Sequence, residues 1–263
     1  MEVSFFQVDS FTTVPFQGNP AAVCLLPVWP SDSTLQAIAA ENNLSETAFV
    51  LASGDVFHLR WFTPVREVNL CGHATLAAAH VLIRSLGYDV PLRFDTLSGR
   101  LTVSQKGDRY LMDFPALNLR PHTTQLDVEA AFGVPAVAVL DGDDDVVVFE
   151  NEDAVRNCQP NFELLKTWPN RGVVVTAPGR EYNFVSRAFF PKFGIPEDPV
   201  TGSAHCLLAP YWAKQLGKNR FLAFQASARG GELECVVEGD RVHLIGDAVL
   251  VIKGTLFVEG CTQ

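Results

Sequence analysis

The amino-acid sequence predicts a mixed α/β protein built from two similar β-rich lobes, each wrapping a curved sheet around one apolar helix. Three observations predict it. The chain has 263 residues, 48% of them hydrophobic, enough for one large domain or two of about 130 residues. Short strand-like runs separated by glycine and proline turns fill most of the length. One ordered set of features occurs twice.

Val3–Val8 alternates around Phe6 and Val8 and predicts an opening strand, followed by a loop over Ser10–Asn19 with Pro15 and Gly18. Pro20–Leu26 is small and apolar and predicts a second strand. Asp32 or Ser33 is placed to cap a helix from Thr34 to about Asn42, with Leu35, Ile38 and Ala39 on one face. The Asn42-Asn43 pair ends it, and Thr47–Leu51 predicts a strand, so Glu46 falls at an element boundary. Val56–Phe62 predicts another strand, ending at Pro64. Asn69–Leu82, NLCGHATLAAAHVL, runs from a polar turn into small apolar residues and predicts a buried helix that Gly87 stops. Leu92–Phe94, Gly99–Gln105 and Tyr110–Phe114 complete the first set of strands, and Pro115–Thr124 reads as a linker.

Beyond it, Asp127–Phe132 predicts a short helix, and Ala136–Leu140 and Val146–Phe149 predict strands. The acidic run Asp141–Asp145 between them lacks the ligand spacing of a calcium loop and reads as a solvated turn. Phe162–Trp168 has no clear pattern. Gly172–Thr176 and Asn183–Phe189 predict strands around the turn Pro178-Gly179-Arg180. Asp198–Leu216, DPVTGSAHCLLAPYWAKQL, repeats the turn-into-helix construction. Phe221–Gln225, Leu233–Val237, Arg241–Leu244 and Ala248–Phe257 predict the closing strands.

The repeat joins these elements. Gly54, a strand ending WFTP, Gly72, an apolar helix and Gly87 recur as Gly179, a strand ending FFP, Gly202, an apolar helix and Gly217. Both helical segments span fifteen residues from glycine to glycine. An apolar helix of this kind is best buried by a curved sheet. The expectation is a lobe over 1–115, with the C-terminal strand as a possible addition, a second lobe over 125–263, and a cleft faced by both helix starts.

The net charge of −10 argues against broad nucleic-acid binding. No run of 18 apolar residues predicts a membrane span, and the N-terminal stretch lacks the pattern of a signal peptide. The six cysteines form no C-x-x-C and no zinc frame, so reduced thiols in a cytoplasmic protein are expected.

Helix starts carry unpaired N–H groups and a positive dipole end. Gly72-His73-Ala74 and Thr201-Gly202-Ser203 leave those groups open to a carboxylate or a developing negative charge. Glu46 has no basic residue within three positions and is the candidate general base; partial burial would raise its pKa toward a useful range. A surface glutamate capping a turn is the competing reading. Cys71 precedes a helix start, where a thiolate is stabilised, or is a small buried side chain. His73 is a candidate donor or proton relay, or a hydrogen-bonded helix-start residue. Asp198 is a candidate acid or orienting group for His73, or an ordinary helix-start aspartate. Ser203 is a candidate ligand for a substrate oxygen. Arg229-Gly230-Gly231 could line the pocket, with Arg229 as carboxylate partner, or form a plain hairpin turn. His205 and Cys206 do not share a helix face, and no metal site is expected of them.

FQGNPAAV (Phe16–Val23), NLSETAF (Asn43–Phe49), LRWFTP (Leu59–Pro64), CGHAT (Cys71–Thr75), EDPVTGSAH (Glu197–His205) and ARGGEL (Ala228–Leu233) resemble the PhzF-like family, named after the phenazine biosynthesis isomerase. The resemblance implies a diaminopimelate-epimerase-like fold with curved, mainly antiparallel sheets, a homodimer, and chemistry without a metal or organic cofactor. It implies that Glu46 matches the family's acid/base glutamate and that His73 and Asp198 match its other polar site residues. Gly72, Gly202 and Ser203 then match its substrate-binding helix starts. The related epimerases place a cysteine at both helix starts. Here Cys71 is kept, while Pro199 stands near the second position. A glutamate-centred hydrogen shift on a small, carboxylate-bearing metabolite is therefore expected. An amino-acid-type epimerase using Cys71 and a non-catalytic interaction protein are the alternatives.

Overall fold

A computed structural model describes residues 1–258 and divides the chain into two compact units. In chain order the first contains β1 (Glu2–Ser10), β2 (Asn19–Leu26), α1 (Asp32–Asn42), β3 (Glu46–Ser53), β4 (Val56–Phe62), β5 (Glu67–Val68), α2 (Gly72–His80), β6 (Leu92–Thr96), β7 (Gly99–Lys106) and β8 (Arg109–Pro115). The second contains β9 (Arg120–Pro121), α3 (Val128–Phe132), β10 (Ala138–Asp141), β11 (Asp145–Val148), α4 (Glu152–Asn157), α5 (Phe162–Leu165), β12 (Val173–Pro178), β13 (Phe184–Phe190), β14 (Ile195–Asp198), α6 (Gly202–Leu216), β15 (Arg220–Gln225), β16 (Gly231–Glu238) and β17 (Arg241–Gly246). The last strand, β18 (Ala248–Phe257), returns to the first unit by pairing antiparallel with β1.

This pairing puts the C-terminal strand with the first lobe, the addition the sequence allowed, so the second lobe expected over 125–263 ends earlier. The second unit is Phe114–Leu244, and the chain from Ile245 belongs with Met1–Asp113. Nine register pairs between β1 and β18 hold it there.

In the first unit β1 pairs antiparallel with β2, β2 parallel with β3, β3 antiparallel with β4, β4 parallel with β6, and β6 antiparallel with β7. The second unit repeats the pattern. There β10 pairs antiparallel with β11, β11 parallel with β12, β12 antiparallel with β13, β13 parallel with β15, and β15 antiparallel with β16. The repeat read from glycine spacing is thus a repeat of strand pairing.

α2 packs on β1, β2, β3 and β18. Seven of its nine residues, His73 through Ala79, are buried, which is what a helix without a polar face requires. α1 covers the opposite side of the sheet, where Leu35, Ile38 and Ala39 join Val3, Cys24, Phe49 and Phe62. In α6, Ala204 through Ala209 and Trp212 are buried, and the helix continues through Pro210. Trp212 stacks on Phe184 of β13 with ring centroids 5.8 Å apart.

Several local expectations change. Ser31, not Asp32 or Ser33, caps α1, its hydroxyl accepting from Thr34 N–H, so the helix starts at Asp32. Asn43 ends it in the left-handed region at φ 49°. α2 gives way to a π-helical turn over Val81–Ser85 before Gly87. The linker expected over Pro115–Thr124 holds β9, which pairs with β10.

The acidic run is not a solvated turn: Asp144 and Asp145 are fully buried. Asp144 takes a bidentate pair from Arg171 at 2.8 and 3.0 Å, and Asp145 lies 3.0 Å from His122 Nε2. Charges buried with such partners avoid the large cost of an unpaired buried ion. The five cysteines among the described residues form no disulfide and are buried; Cys261 lies outside them. Among the described residues, no helix is long and apolar enough to cross a membrane.

Candidate active site

Glu46 is the first residue of β3, directly after the turn that follows the left-handed Asn43. Its side chain is 14% exposed. It therefore sits on a strand end, largely but not fully buried. Its Oε2 lies 3.2 Å from Nε2 of His73, the second residue of α2. The approach is close but not aligned as a hydrogen bond.

Two groups approach the imidazole and a third fixes the His73 backbone. Asn19 Nδ2 lies 3.2 Å from His73 Nδ1, Cys71 Sγ lies 3.5 Å from the same nitrogen, and Ser10 Oγ donates to the His73 carbonyl at 2.8 Å. Burial pushes the His73 pKa down to about 3, so the ring is neutral around pH 7. The Asn19 amide presents an N–H to Nδ1, which leaves the ring proton on Nε2. The nitrogen that carries it lies 3.2 Å from the Glu46 carboxylate. A neutral imidazole donor beside a carboxylate can bind a substrate oxygen or share a proton with the base.

Cys71 occupies the N-cap of α2 without making a side-chain cap bond. Thr75 secures the turn instead, its Oγ1 donating to the Cys71 carbonyl at 2.6 Å. The N–H groups of the first turn thus have no side-chain acceptor from the cap.

In the second unit, Thr201 caps α6 in the same bare fashion. Asp198, buried at the end of β14, accepts from Thr201 Oγ1. Gln225 locks the turn: its Oε1 accepts from Thr201 N–H at 2.8 Å, and its Nε2 donates to the Asp198 carbonyl at 2.7 Å. Gly202 is buried and Ser203 half-buried at the start of the helix. Gly231 opens β16 opposite Gln225. Gly230 adopts φ +62°, and a Cβ there would meet the Phe224 ring at 2.7 Å. Arg229 beside it is half-buried.

His205 Nδ1 lies 2.8 Å from the Thr201 carbonyl, and burial holds the His205 pKa down at about 4. Burial pushes the Cys206 thiol up to about 12, and its Sγ turns to the Gly202 carbonyl. Both are helix-interior groups, as the sequence indicated.

The structure thus brings Glu46, Cys71 and His73 together in the first unit, and Asp198, Thr201, Gly202 and Ser203 around the start of α6 in the second. Sequence reasoning missed Ser10, Asn19, Arg171 and Gln225. Gly18-Asn19-Pro20 is the signal that could have found one of them: a Cβ on Gly18 would fall 2.2 Å from the Ser10 carbonyl oxygen, so only glycine lets Asn19 approach.

The unit thus occurs twice, each time with a bare helix start, and at one of them a carboxylate lies against a neutral imidazole. The chain belongs to the phenazine biosynthesis-like protein family, whose profile matches residues 8–254. An uncharacterized isomerase of Pseudomonas aeruginosa is 54% identical, over 97% of this chain and 99% of that protein. A crystal structure of a PhzF-family phenazine biosynthesis protein from Enterococcus faecalis is similar with a TM-score of 0.95 and 44% identity, over 98% of this chain and all of that one. A hydroxyproline epimerase of Agrobacterium vitis shares the fold at a TM-score of 0.65 and 10% identity, over 97% and 91% of the two chains. The diaminopimelate-epimerase-like fold and the isomerase class expected from the sequence stand on these findings.

Proposed function

We propose that this protein is a cofactor-independent isomerase that moves a hydrogen between carbons of a small carboxylate-bearing, possibly cyclic, metabolite. The observation that carries this reading is the 3.2 Å approach of Glu46 Oε2 to the Nε2 of a buried, neutral His73. Glu46 removes the proton from an activated carbon and returns it at another position. His73 Nε2–H and Asp198 assist at a substrate oxygen or nitrogen. The uncapped N–H groups at Gly72 and Gly202 bind carboxylate oxygens. On this reading the protein works in the cytoplasm and is a homodimer; light scattering on the purified protein tests the second point.

The test incubates the enzyme with a panel of cyclic and amino-acid carboxylates in D2O and follows deuterium by mass spectrometry and NMR. The proposal expects label at the accepting carbon, lost in Glu46→Gln and retained in Cys71→Ser. A second reading, epimerisation by Cys71, is favoured by one observation, the 3.5 Å approach of its Sγ to His73 Nδ1. It expects label at a stereocentre, and loss of that label in Cys71→Ser.

A further inference from the structure

The acidic run and Arg171 form a second polar cluster, wholly within the second unit. Arg171 Nε and Nη2 donate to the buried Asp144 carboxylate, and Nη2 also donates to Ser203 Oγ at 3.0 Å. The Arg171 side chain is 41% exposed, and its guanidinium lies 5.8 Å from the centre of the Phe190 ring. Its Nη1 makes no hydrogen bond to any described residue.

The repeat gives this cluster a meaning. Ser203 is the second residue of α6, as His73 is of α2. Asp144 directly precedes β11, and Asn19 opens β2. Arg171 lies two residues ahead of β12, and Glu46 opens β3. β11 and β12 pair in parallel, as β2 and β3 do. The Asn19–His73–Glu46 cluster thus has a counterpart in Asp144–Ser203–Arg171 at the same corner of the fold, with a cation where the first unit has its carboxylate.

We propose that Arg171 and Ser203, with the first turn of α6, form a carboxylate-binding subsite in which Asp144 clamps the arginine. Arginine only donates, so Ser203 Oγ accepts from it and keeps its own O–H to give outward. A hydroxyl polarised by a cation is the stronger donor. The free Nη1 group and the uncapped N–H groups of the first turn are donors too. With Asp144 and Asp198 already engaged by Arg171 and Thr201, the groups left to meet a ligand are donors, which suits anionic oxygens. The planar fork of arginine suits a carboxylate better than a lysine point charge would. The inference rests on the reading of the α6 start as a substrate-binding element, and it adds the cation that the sequence sought in Arg229.

Amide NMR of the full-length protein tests it, with sodium acetate as the probe and sodium chloride and ethylammonium chloride at equal ionic strength as controls. Acetate alone is expected to give saturable shifts at Gly202, Ser203 and Ala204. Ser203→Ala weakens acetate about tenfold, the scale of one charge-assisted hydrogen bond. The paired variant Asp144→Asn with Arg171→Gln, which leaves no buried unpaired carboxylate, weakens it at least as much. Adding Ser203→Ala to that pair costs less than the full tenfold, because part of the arginine's effect runs through the hydroxyl. Should the pair not fold, Arg171→Lys decides: one ammonium cannot hold Asp144 bidentately and reach Ser203, so affinity falls while the charge stays. Equal shifts with acetate and chloride, or undiminished acetate affinity in Arg171→Lys, overturns the proposal. No turnover enters this measurement. Acetate binding in a protein that catalyses no exchange would remove the isomerase reading and leave the subsite standing.

Discussion

Acid sensitivity set by two buried histidines offers a quantitative check on the helix starts. Burial lowers the pKa of His205 from 6.5 to about 4, and that of His73 from 6.5 to about 3. The sign follows from linkage. Above pH 6.5 neither state is protonated at these rings, so they add no pH dependence. As pH falls below 6.5 the unfolded chain takes up protons that the folded chain refuses, and stability is lost until the folded pKa is passed. At pH 4.5 the loss is on the order of 2 to 3 kcal/mol for each ring. The His73 figure is an upper bound, since Glu46 at 3.2 Å would favour the imidazolium. The measurement is urea unfolding of the wild type and His205→Gln at pH 7.5, 6.0 and 4.5. Other groups titrate in both proteins, and the difference between them isolates His205. The variant should be less stable at pH 7.5 and should lose roughly 2 to 3 kcal/mol less than the wild type on going to pH 4.5. Parallel losses in the two proteins would refute the reasoning, because His205 would then titrate alike folded and unfolded.

Two further predictions concern the groups that hold His73. Gly18→Ala should destabilise by roughly 2 kcal/mol or more, since it places a methyl 2.2 Å from the Ser10 carbonyl oxygen at a positive φ; chemical denaturation reads this directly. Asn19→Leu removes the donor that keeps Nδ1 an acceptor, so the ring proton is no longer confined to Nε2. Exchange activity should fall about tenfold while carboxylate binding holds, and 15N shifts of the ring should report mixed tautomers; an unchanged ring spectrum would remove Asn19 from this role.

The helix starts were legible because glycine, an adjacent polar residue and a small-residue run are local signals. The duplication was legible because it preserves spacing. Glu46 stood out through its isolation from basic residues, and its place on a strand end followed from the Asn42-Asn43 stop. The groups that tune the site were hidden, because their contacts are non-local. Asn19 meets His73 across 54 residues, and Asp144 meets Arg171 across 27. Each meeting depends on a parallel strand pair or a buried helix that no short window displays. The acidic run misled for the same reason: nothing near Asp144 in sequence announces the arginine that neutralises it. α4 escaped because its six residues expose most of their surface, with only Glu152 and Val155 buried.

The central claim is that Glu46 moves the proton. The direct measurement is solvent deuterium incorporation into a turned-over carboxylate by wild type and Glu46→Gln, with the fold of the variant checked by circular dichroism. The account predicts label at the accepting carbon with the wild type and none above background with the folded variant. Undiminished incorporation by Glu46→Gln would contradict it.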